Sequence, residues 1–202
     1  MLQHKTLIFD LGDVIIDLKP ELNWWQEDLL TNFNNQALVQ KFEQKFFHDF
    51  EKGIISVDTF LEEMNQIKTN PNITVESAWC GILKEIPKHR IDLLFSLAKD
   101  NKIYLLSNTN DIHLDYIIDM IQKTYDENIF DNIFNHQFYS QKIGMRKPNQ
   151  DIYEYVQQQV NTTSEQIYFF DDKNENLNIP KQLGWNTFLV NQDIATIITE
   201  AN

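Results

Sequence analysis

Acidic, hydroxyl and amide side chains follow three short apolar runs of this sequence, at the points where the runs end. These side chains belong to Asp10, Ser107, Asn108, Asp171 and Asp172. If the runs are neighbouring parallel strands, their polar ends emerge at one edge of the sheet, and three carboxylates then converge there. Carboxylates at such short separations repel by several kcal/mol at an effective dielectric of about 20, so a cation is expected among them.

The expected cation is Mg²⁺, because carboxylate and carbonyl oxygens suit a hard ion that keeps waters for a phosphate to replace. The sequence has no Cys or His cluster that would favour zinc instead. Ser107 and the backbone N–H groups after it lie at a predicted strand-to-helix turn, which is a natural phosphate site. Lys147, followed by Pro148, adds a positive charge. Together these residues predict a magnesium and phosphate site.

The elements that position these residues are strands alternating with helices. A fourth apolar run covers residues 187–190, and helical periodicity covers Arg90 to Lys99 and Asp151 to Val160. Alternation of this kind predicts an α/β fold with a parallel sheet. Ligands in such sheets bind beyond the carboxyl ends of the strands, where the polar clusters fall.

Residues 20–87 interrupt the alternation, because they have helical patterns and no strand-like run. Ser56 is a predicted N-cap for a helix that runs to Ile67, and Thr74 begins another. Pro87 marks the return to the sheet. We therefore predict a core of residues 1–18 and 88–202, with an inserted all-helical domain at residues 19–87.

Length and charge exclude several classes of protein. The 202 residues fit one compact domain with a sizeable insertion, and 30 acidic against 17 basic residues give a net charge of −13. That charge disfavours nucleic acid and anionic membrane surfaces as partners. The single Cys80 and the lack of a long apolar stretch predict a cytoplasmic protein without an internal disulfide.

Four stretches together resemble the haloacid dehalogenase-like (HAD) superfamily of aspartate-nucleophile hydrolases, and the resemblance covers nearly the whole chain. The stretches are Phe9-Asp10-Leu11-Gly12-Asp13-Val14, Leu105 to Asn110, Gly144 to Pro148, and Phe169-Phe170-Asp171-Asp172 with Asn176 and Leu183-Gly184-Trp185. The helical insertion resembles the cap that covers the active site in this superfamily. The resemblance therefore implies a Rossmann-like three-layer core beneath an inserted helical cap.

The resemblance also implies a reaction. Asp10 would attack phosphorus to form an aspartyl-phosphate, which water then hydrolyses. The side chains of Asp10 and Asp172 and the carbonyl of Gly12 would hold Mg²⁺, with Asp171 as a further ligand or a water-mediated support. The phosphoryl oxygens would be bound by Ser107, Asn108 and Lys147. The expected partner is a small phosphorylated metabolite, and Asn176 is a candidate support of the metal site.

One position departs from the family pattern. Most phosphatases of this superfamily carry a general acid two residues after the nucleophile, where this chain has Gly12. Asp13 is a candidate replacement, but the sequence favours a solvated or capping role for it. Losing a general acid costs on the order of 10²–10⁴ in rate for a basic leaving group and much less for an acidic one. This favours a sugar 1-phosphate, in agreement with a resemblance to the α-D-glucose-1-phosphate phosphatase-like branch.

Four further features of the sequence have expected structural roles. Pro180 predicts a kink or a delayed start of the helix after Asp171. His113 is interpreted as a helix-surface or capping residue, and Gly53 as a turn that dips toward the site. Several aromatic residues of the insertion are interpreted as core rather than as a sugar-binding face: Trp24, Trp25, Phe46 and Phe47.

Two other functions stay open on the sequence alone. The first is a binding or regulatory protein that has kept the phosphate site and lost turnover, which Gly12 makes a real alternative. The second is hydrolytic dehalogenation, in which Asp10 would attack carbon. Dehalogenation needs no metal, and the repulsion within the Asp171-Asp172 pair argues against it.

Overall fold

The structure is a computed structural model that describes residues 2–19, 29–125 and 127–201. Its strands are β1 (Thr6–Phe9), β2 (Lys102–Ser107), β3 (His136–Tyr139), β4 (Ile167–Asp171) and β5 (Asn186–Leu189). They form one sheet of five strands in the order β3-β2-β1-β4-β5, and every neighbouring pair is parallel. This confirms the predicted α/β class, with β1 at the centre of the sheet.

Helices follow the strands and fill the insertion. They are α1 (Leu30–Asn32), α2 (Asn35–Glu43), α3 (Phe46–Glu51), α4 (Val57–Ile67), α5 (Val75–Cys80), α6 (Lys88–Ala98), α7 (Asp111–Tyr125), α8 (Ile129–Ile133), α9 (Ser140–Ile143), α10 (Gln150–Val160), α11 (Asn174–Gln182) and α12 (Ile194–Glu200). The predicted N-caps are confirmed, because Ser56 Oγ accepts from the Thr59 N–H at 3.2 Å and Thr74 Oγ1 from the Ser77 N–H at 3.1 Å.

Both faces of the sheet are covered by helices, which makes the core a three-layer Rossmann-like fold. On one face, residues of α6, α7, α8 and α12 pack around Phe9 and Leu105. On the other face, residues of α10 and α11 pack around Ile8 and Phe169. Every residue of β1 is buried, as expected for a central strand of a parallel sheet.

Strand β3 was not among the predicted strands. Its sequence, His136-Gln137-Phe138-Tyr139, lacks a continuous apolar run, and its first two residues are not fully buried. An edge strand needs to be apolar only where a helix covers it, so the apolar-run criterion fails here. Pairing with β2 fixes its position, with Phe138 opposite Leu106.

The prediction of a delayed helix start near Pro180 is wrong. Helix α11 begins at Asn174 and continues through Pro180 to Gln182. Proline lacks the N–H that would normally bond the carbonyl four residues earlier, which is that of Asn176. The Tyr153 hydroxyl donates to this carbonyl at 2.8 Å, so the freed acceptor is satisfied from the neighbouring helix α10.

The inserted segment has its own apolar core, built mainly from aromatic residues of α3, α4 and α5. Phe47, Phe50, Phe60 and Trp79 are all buried in it, and Phe46 is partly buried against it. Trp24 and Trp25 lie outside the described residues. Whether the domain boundaries are at 18/19 and 87/88 stays a prediction.

The two connections to the insertion are paired with each other as antiparallel segments. The Lys19 N–H donates to the Ile82 carbonyl at 2.9 Å, and the Lys84 N–H donates to the Asp17 carbonyl at 2.9 Å. Leu18 and Leu83 form the bridge between these bonds.

Among the helices of the described ranges, none has the length and apolar character needed to span a membrane.

Candidate active site

The carboxyl edge of the sheet brings three carboxylates together. Phe9 is opposite Phe170 in the β1–β4 register, and Asp10 and Asp171 come directly after these two residues along the sequence. One oxygen atom from each of Asp10, Asp171 and Asp172 lies within 4.8 Å of the others. Neighbouring parallel strands thus produce the convergence that the sequence predicts.

Lys147 provides the positive charge of this cluster. Its Nζ lies 2.7 Å from Oδ1 of Asp10 and 2.6 Å from Oδ2 of Asp171, and it donates to the Leu106 carbonyl at 2.9 Å. An ammonium has three N–H donors, so all three have acceptors. Burial alone would lower the pKa of Lys147, but the two carboxylates outweigh burial and raise it. Lys147 is therefore charged.

Asp171 is fully buried, and each of its oxygens has a protein partner. Oδ2 faces Lys147, while Oδ1 accepts from the Lys173 N–H at 2.8 Å and from Nδ2 of Asn176 at 2.9 Å. The side chain of Asn176 thus holds Asp171. Asp171 anchors the lysine, and Asp10 and Asp172 are the carboxylates that remain for a cation.

The charge balance of the site fits a divalent cation. Three carboxylates surround one ammonium, and burial, followed by the charges of Asp10 and Asp171, raises the pKa of Asp172 to about 8. Asp172 therefore resists ionisation until more positive charge is present. Carboxylate oxygens are the donors that Mg²⁺ prefers, so the residues fit that ion.

The turn after β2 is joined to neighbouring segments by its own side chains. Ser107 ends β2 and is 3% exposed. Oδ1 of Asn108 accepts from the Lys147 N–H at 2.8 Å, and its Nδ2 donates to the Lys147 carbonyl at 2.8 Å. Asn110, which sequence reasoning did not single out, accepts from the His113 N–H at 3.0 Å. A helix-capping signal just before α7 would have found it.

The loop after β1 explains the local structure at positions 12 and 13. A Cβ on Gly12 would lie 2.9 Å from Cδ1 of Leu18, so Leu18 fills the space of the missing side chain. Asp13 adopts a left-handed conformation with φ 52°, and its Oδ1 accepts from the Leu18 N–H at 2.9 Å. The carboxylate of Asp13 thus supports the loop backbone, which matches the capping alternative for this residue.

A cleft of about 370 Å³ lies between the core and the inserted helices. Its lining includes, from the core, Gly12, Ser107, Asn108, Arg146 and Lys173 and, from the insertion, Phe47, His48, Glu51 and Trp79. The two sides are joined by an ion pair in which Nε of Arg146 donates to Oε2 of Glu51 at 2.9 Å. The volume and the mixed polar lining suit a small polar molecule.

The insertion also contacts the core through Trp79 and His113. Their rings are stacked with centroids 5.3 Å apart, and Nε2 of His113 lies 2.9 Å from the Trp79 carbonyl. The Trp79 ring also stacks on Phe47, with centroids 5.3 Å apart. Trp79 is buried, so it is part of the packing. His113 is at this contact and not on the helix surface, while its bond to the Trp79 carbonyl, in the last turn of α5, agrees with the capping role.

Gly53 brings the insertion close to helix α9. Its φ is +67°, and a Cβ there would lie 2.4 Å from the Gln141 carbonyl oxygen. Only glycine tolerates both the left-handed backbone and this approach. The turn at Gly53 therefore does reach the core, next to the segment that leads to Lys147.

Known proteins that are similar to this chain include a sugar-alcohol phosphate phosphatase and HAD family proteins. It is 25% identical to the D-ribitol-5-phosphate phosphatase of Bacteroides thetaiotaomicron over 188 residues, which are 91% of this chain and 90% of that protein. A HAD family enzyme of the same bacterium, solved with magnesium and inorganic phosphate, superimposes with a TM-score of 0.77 at 28% identity, covering 96% of this chain and 98% of that one.

A further solved structure is similar to this chain. A Porphyromonas gingivalis protein described as a predicted HAD-like family hydrolase superimposes with a TM-score of 0.78 at 26% identity, covering 99% of this chain and 98% of that one. No model of a known protein family matches the chain.

Proposed function

The chain belongs to the phosphatases of the haloacid dehalogenase-like superfamily, which use Mg²⁺, and from this premise we propose that it hydrolyses a small sugar or polyol phosphate with Asp10 as nucleophile. The observation that carries the proposal is the Asp10–Lys147–Asp171 arrangement. Burial raises the pKa of the Asp10 carboxyl, and the Lys147 ammonium at 2.7 Å opposes this effect and fixes the direction of the carboxylate. An ionised carboxylate held in a fixed direction can act as a nucleophile.

In the first step we propose that an Asp10 oxygen forms a bond to phosphorus. The bond between phosphorus and the ester oxygen breaks, and its electron pair leaves with that oxygen. In the second step a water oxygen attacks phosphorus and its proton passes to solvent. The bond between phosphorus and the Asp10 oxygen breaks with its electron pair on that oxygen, which releases inorganic phosphate and regenerates the carboxylate. Lys147 and the hydroxyl of Ser107 donate hydrogen bonds to the phosphoryl oxygens, where negative charge is concentrated during transfer.

Asp10, Asp172 and the Gly12 carbonyl are the groups that we expect to hold Mg²⁺. When bound, the ion supplies the positive charge that lets an anionic carboxylate approach an anionic phosphate. Asp171 contributes through Lys147, because both of its oxygens already have protein partners. Asn176 supports Asp171 and so acts one contact further from the ion.

The leaving group takes its proton from solvent in this proposal, because position 12 has no carboxyl group and Asp13 is bonded to Leu18. That favours an ester with an acidic leaving oxygen, such as a sugar 1-phosphate. The relative from Bacteroides thetaiotaomicron is named for a primary alcohol ester. Anomeric and primary esters are therefore the two classes to compare.

The remaining alternative is a protein that binds phosphate without turnover, which the absence of an acid at position 12 favours. Both functions predict Mg²⁺-dependent phosphate binding, and only the enzyme releases phosphate from an ester. Dehalogenation needs no metal, so it would not account for the cation site around Asp10 and Asp172.

The test is phosphate release from sugar 1-phosphates, sugar 6-phosphates, pentitol 5-phosphates and an aryl phosphate, with Mg²⁺ and with chelator. We expect Mg²⁺-dependent release that falls at least about 10³-fold in Asp10→Asn. Asp119→Asn, at an exposed carboxylate on α7, is the matched control and retains full activity. No release from any ester would replace the enzyme proposal with the phosphate-binding protein.

A further inference from the structure

Two reciprocal pairs of hydrogen bonds join the turn after β2 to the segment that carries Lys147. In the first, the Asn108 side chain bonds both the N–H and the carbonyl of Lys147, each at 2.8 Å. In the second, the Ser140 hydroxyl accepts from the Thr109 N–H at 2.9 Å and donates to the Thr109 carbonyl at 3.1 Å. Each segment thus holds the backbone of the other.

We propose that Asn108 is a positioning residue, which fixes the backbone of Lys147 and thereby sets where the ammonium meets Asp10. This inference rests on the proposed function, because it concerns the lysine of that reaction. It replaces the expectation that the Asn108 side chain binds phosphoryl oxygens. A contact of that kind would require the amide to give up its bonds to Lys147.

The chemistry of the amide explains why asparagine suits this position. The N–H and the carbonyl of Lys147 offer a donor and an acceptor, and a carboxamide is the short side chain that matches both at once. Aspartate would place an acceptor against the Lys147 carbonyl, and serine has a shorter side chain with which to reach the two groups. The pairing with Asn108 therefore orients the residue as a whole and not one atom of it.

The environment of the Lys147 side chain makes backbone position important. Its three donors reach three acceptors at 2.6–2.9 Å, and the side chain is 1% exposed. A buried ammonium with every donor in use has little room to compensate for a displaced backbone. A misplacement of about 1 Å at a reacting group costs on the order of 10²-fold in rate.

The kinetic test is a double-mutant cycle between position 108 and Lys147. We expect Asn108→Ala to lower kcat by on the order of 10²-fold, with KM changed less than about threefold. In a Lys147→Met background the same substitution has no further effect, because it acts through the lysine. Additive losses, or a loss confined to KM, would overturn the proposal in favour of a direct phosphate contact.

Ser140→Ala is the matched control, because it removes the other reciprocal pair of the same two segments. Its effect on kcat is expected to persist undiminished in the Lys147→Met background. Asn108→Ser, which retains a hydroxyl for one of the two bonds, keeps the test valid if Asn108→Ala does not fold. We expect its kcat between those of the unaltered protein and the Lys147→Met variant.

A second measurement does not depend on turnover. The buried Lys147 ammonium should give a resolved ¹H–¹⁵N signal in NMR, because its protons are shielded from exchange with water. We expect this signal in the unaltered protein and in Ser140→Ala, and its loss or displacement in Asn108→Ala and Asn108→Ser. An unchanged signal in both Asn108 variants would overturn the inference. Failure to release phosphate from any ester would refute the phosphatase proposal alone.

Discussion

The Nζ atom of Lys147 lies 2.6 Å from Oδ2 of Asp171, and neither side chain is more than 1% exposed. The same nitrogen lies 2.7 Å from Asp10, so one buried cation separates two carboxylates. A buried pair of this kind adds little net stability compared with apolar residues of the same size, but removing one partner leaves uncompensated charge. Lys147 therefore has a structural role beside the catalytic role that we propose for it.

Replacing Lys147 with methionine should lower the free energy of unfolding by about 3–5 kcal/mol in the absence of metal, because two buried carboxylates then face each other. Urea unfolding with chelator present measures this loss, and excess Mg²⁺ should recover part of it. The control is Lys142→Met, at an exposed pair with Asp111, for which a loss below about 1 kcal/mol is expected. Equal losses in the two variants would contradict the prediction.

Stability should fall as the pH drops from about 6.5 to about 4, in part because of His113. Burial lowers the pKa of His113 to about 4, and its unfolded value is near 6.5. Between these values the unfolded chain binds a proton that the folded chain excludes, and the cost at pH 4 is at most about 3 kcal/mol. Other groups titrate here too, so the comparison is with His113→Gln, whose unfolding free energy should depend less steeply on pH. Identical slopes would count against the prediction.

Substituting Gly53 with alanine should destabilise the protein more than substituting Gly144. Both glycines have positive φ, +67° and +74°, but only at Gly53 does the new Cβ meet a backbone oxygen, at 2.4 Å. The left-handed backbone costs alanine about 1–2 kcal/mol at either position. The clash should add about 1–3 kcal/mol at Gly53 alone. Thermal and urea unfolding of the two variants measure the difference, and equal losses would rule out the close approach.

The missing acid at position 12 predicts a strong dependence of rate on the leaving group. An aryl phosphate should be hydrolysed faster than a primary alkyl phosphate by on the order of 10²–10⁴. A Gly12→Asp, Leu18→Ala double variant should lower the ratio of the aryl rate to the alkyl rate, because it restores a carboxyl group at position 12. The Leu18→Ala change removes the methyl that lies 2.9 Å from the new Cβ at position 12. The matched control, Gly12→Asn with Leu18→Ala, has the same shape without the acid. If it lowers this ratio equally, the leaving-group argument fails.

Local sequence patterns account for much of the fold. Apolar runs located β1, β2 and β4, and capping residues located the starts of α4 and α5, because these signals depend on neighbours along the chain. These local signals do not predict contacts between residues that are distant along the chain. The pairing of Asn108 with Lys147 joins positions 39 residues apart, and the stacking of Trp79 on His113 joins the insertion to the core. Both depend on packing that no local pattern encodes.

The antiparallel pairing of Asp17–Lys19 with Ile82–Lys84 has a consequence for how such a chain can be rebuilt. The insertion leaves and re-enters the core at points joined by backbone hydrogen bonds. The two ends of the insertion are therefore held together at the core, whatever the length of the insertion. Closure entropy grows only with the logarithm of that length, by about 0.6 kcal/mol per doubling. We therefore expect that a foreign helical segment inserted at this junction would leave the register of β1 unchanged.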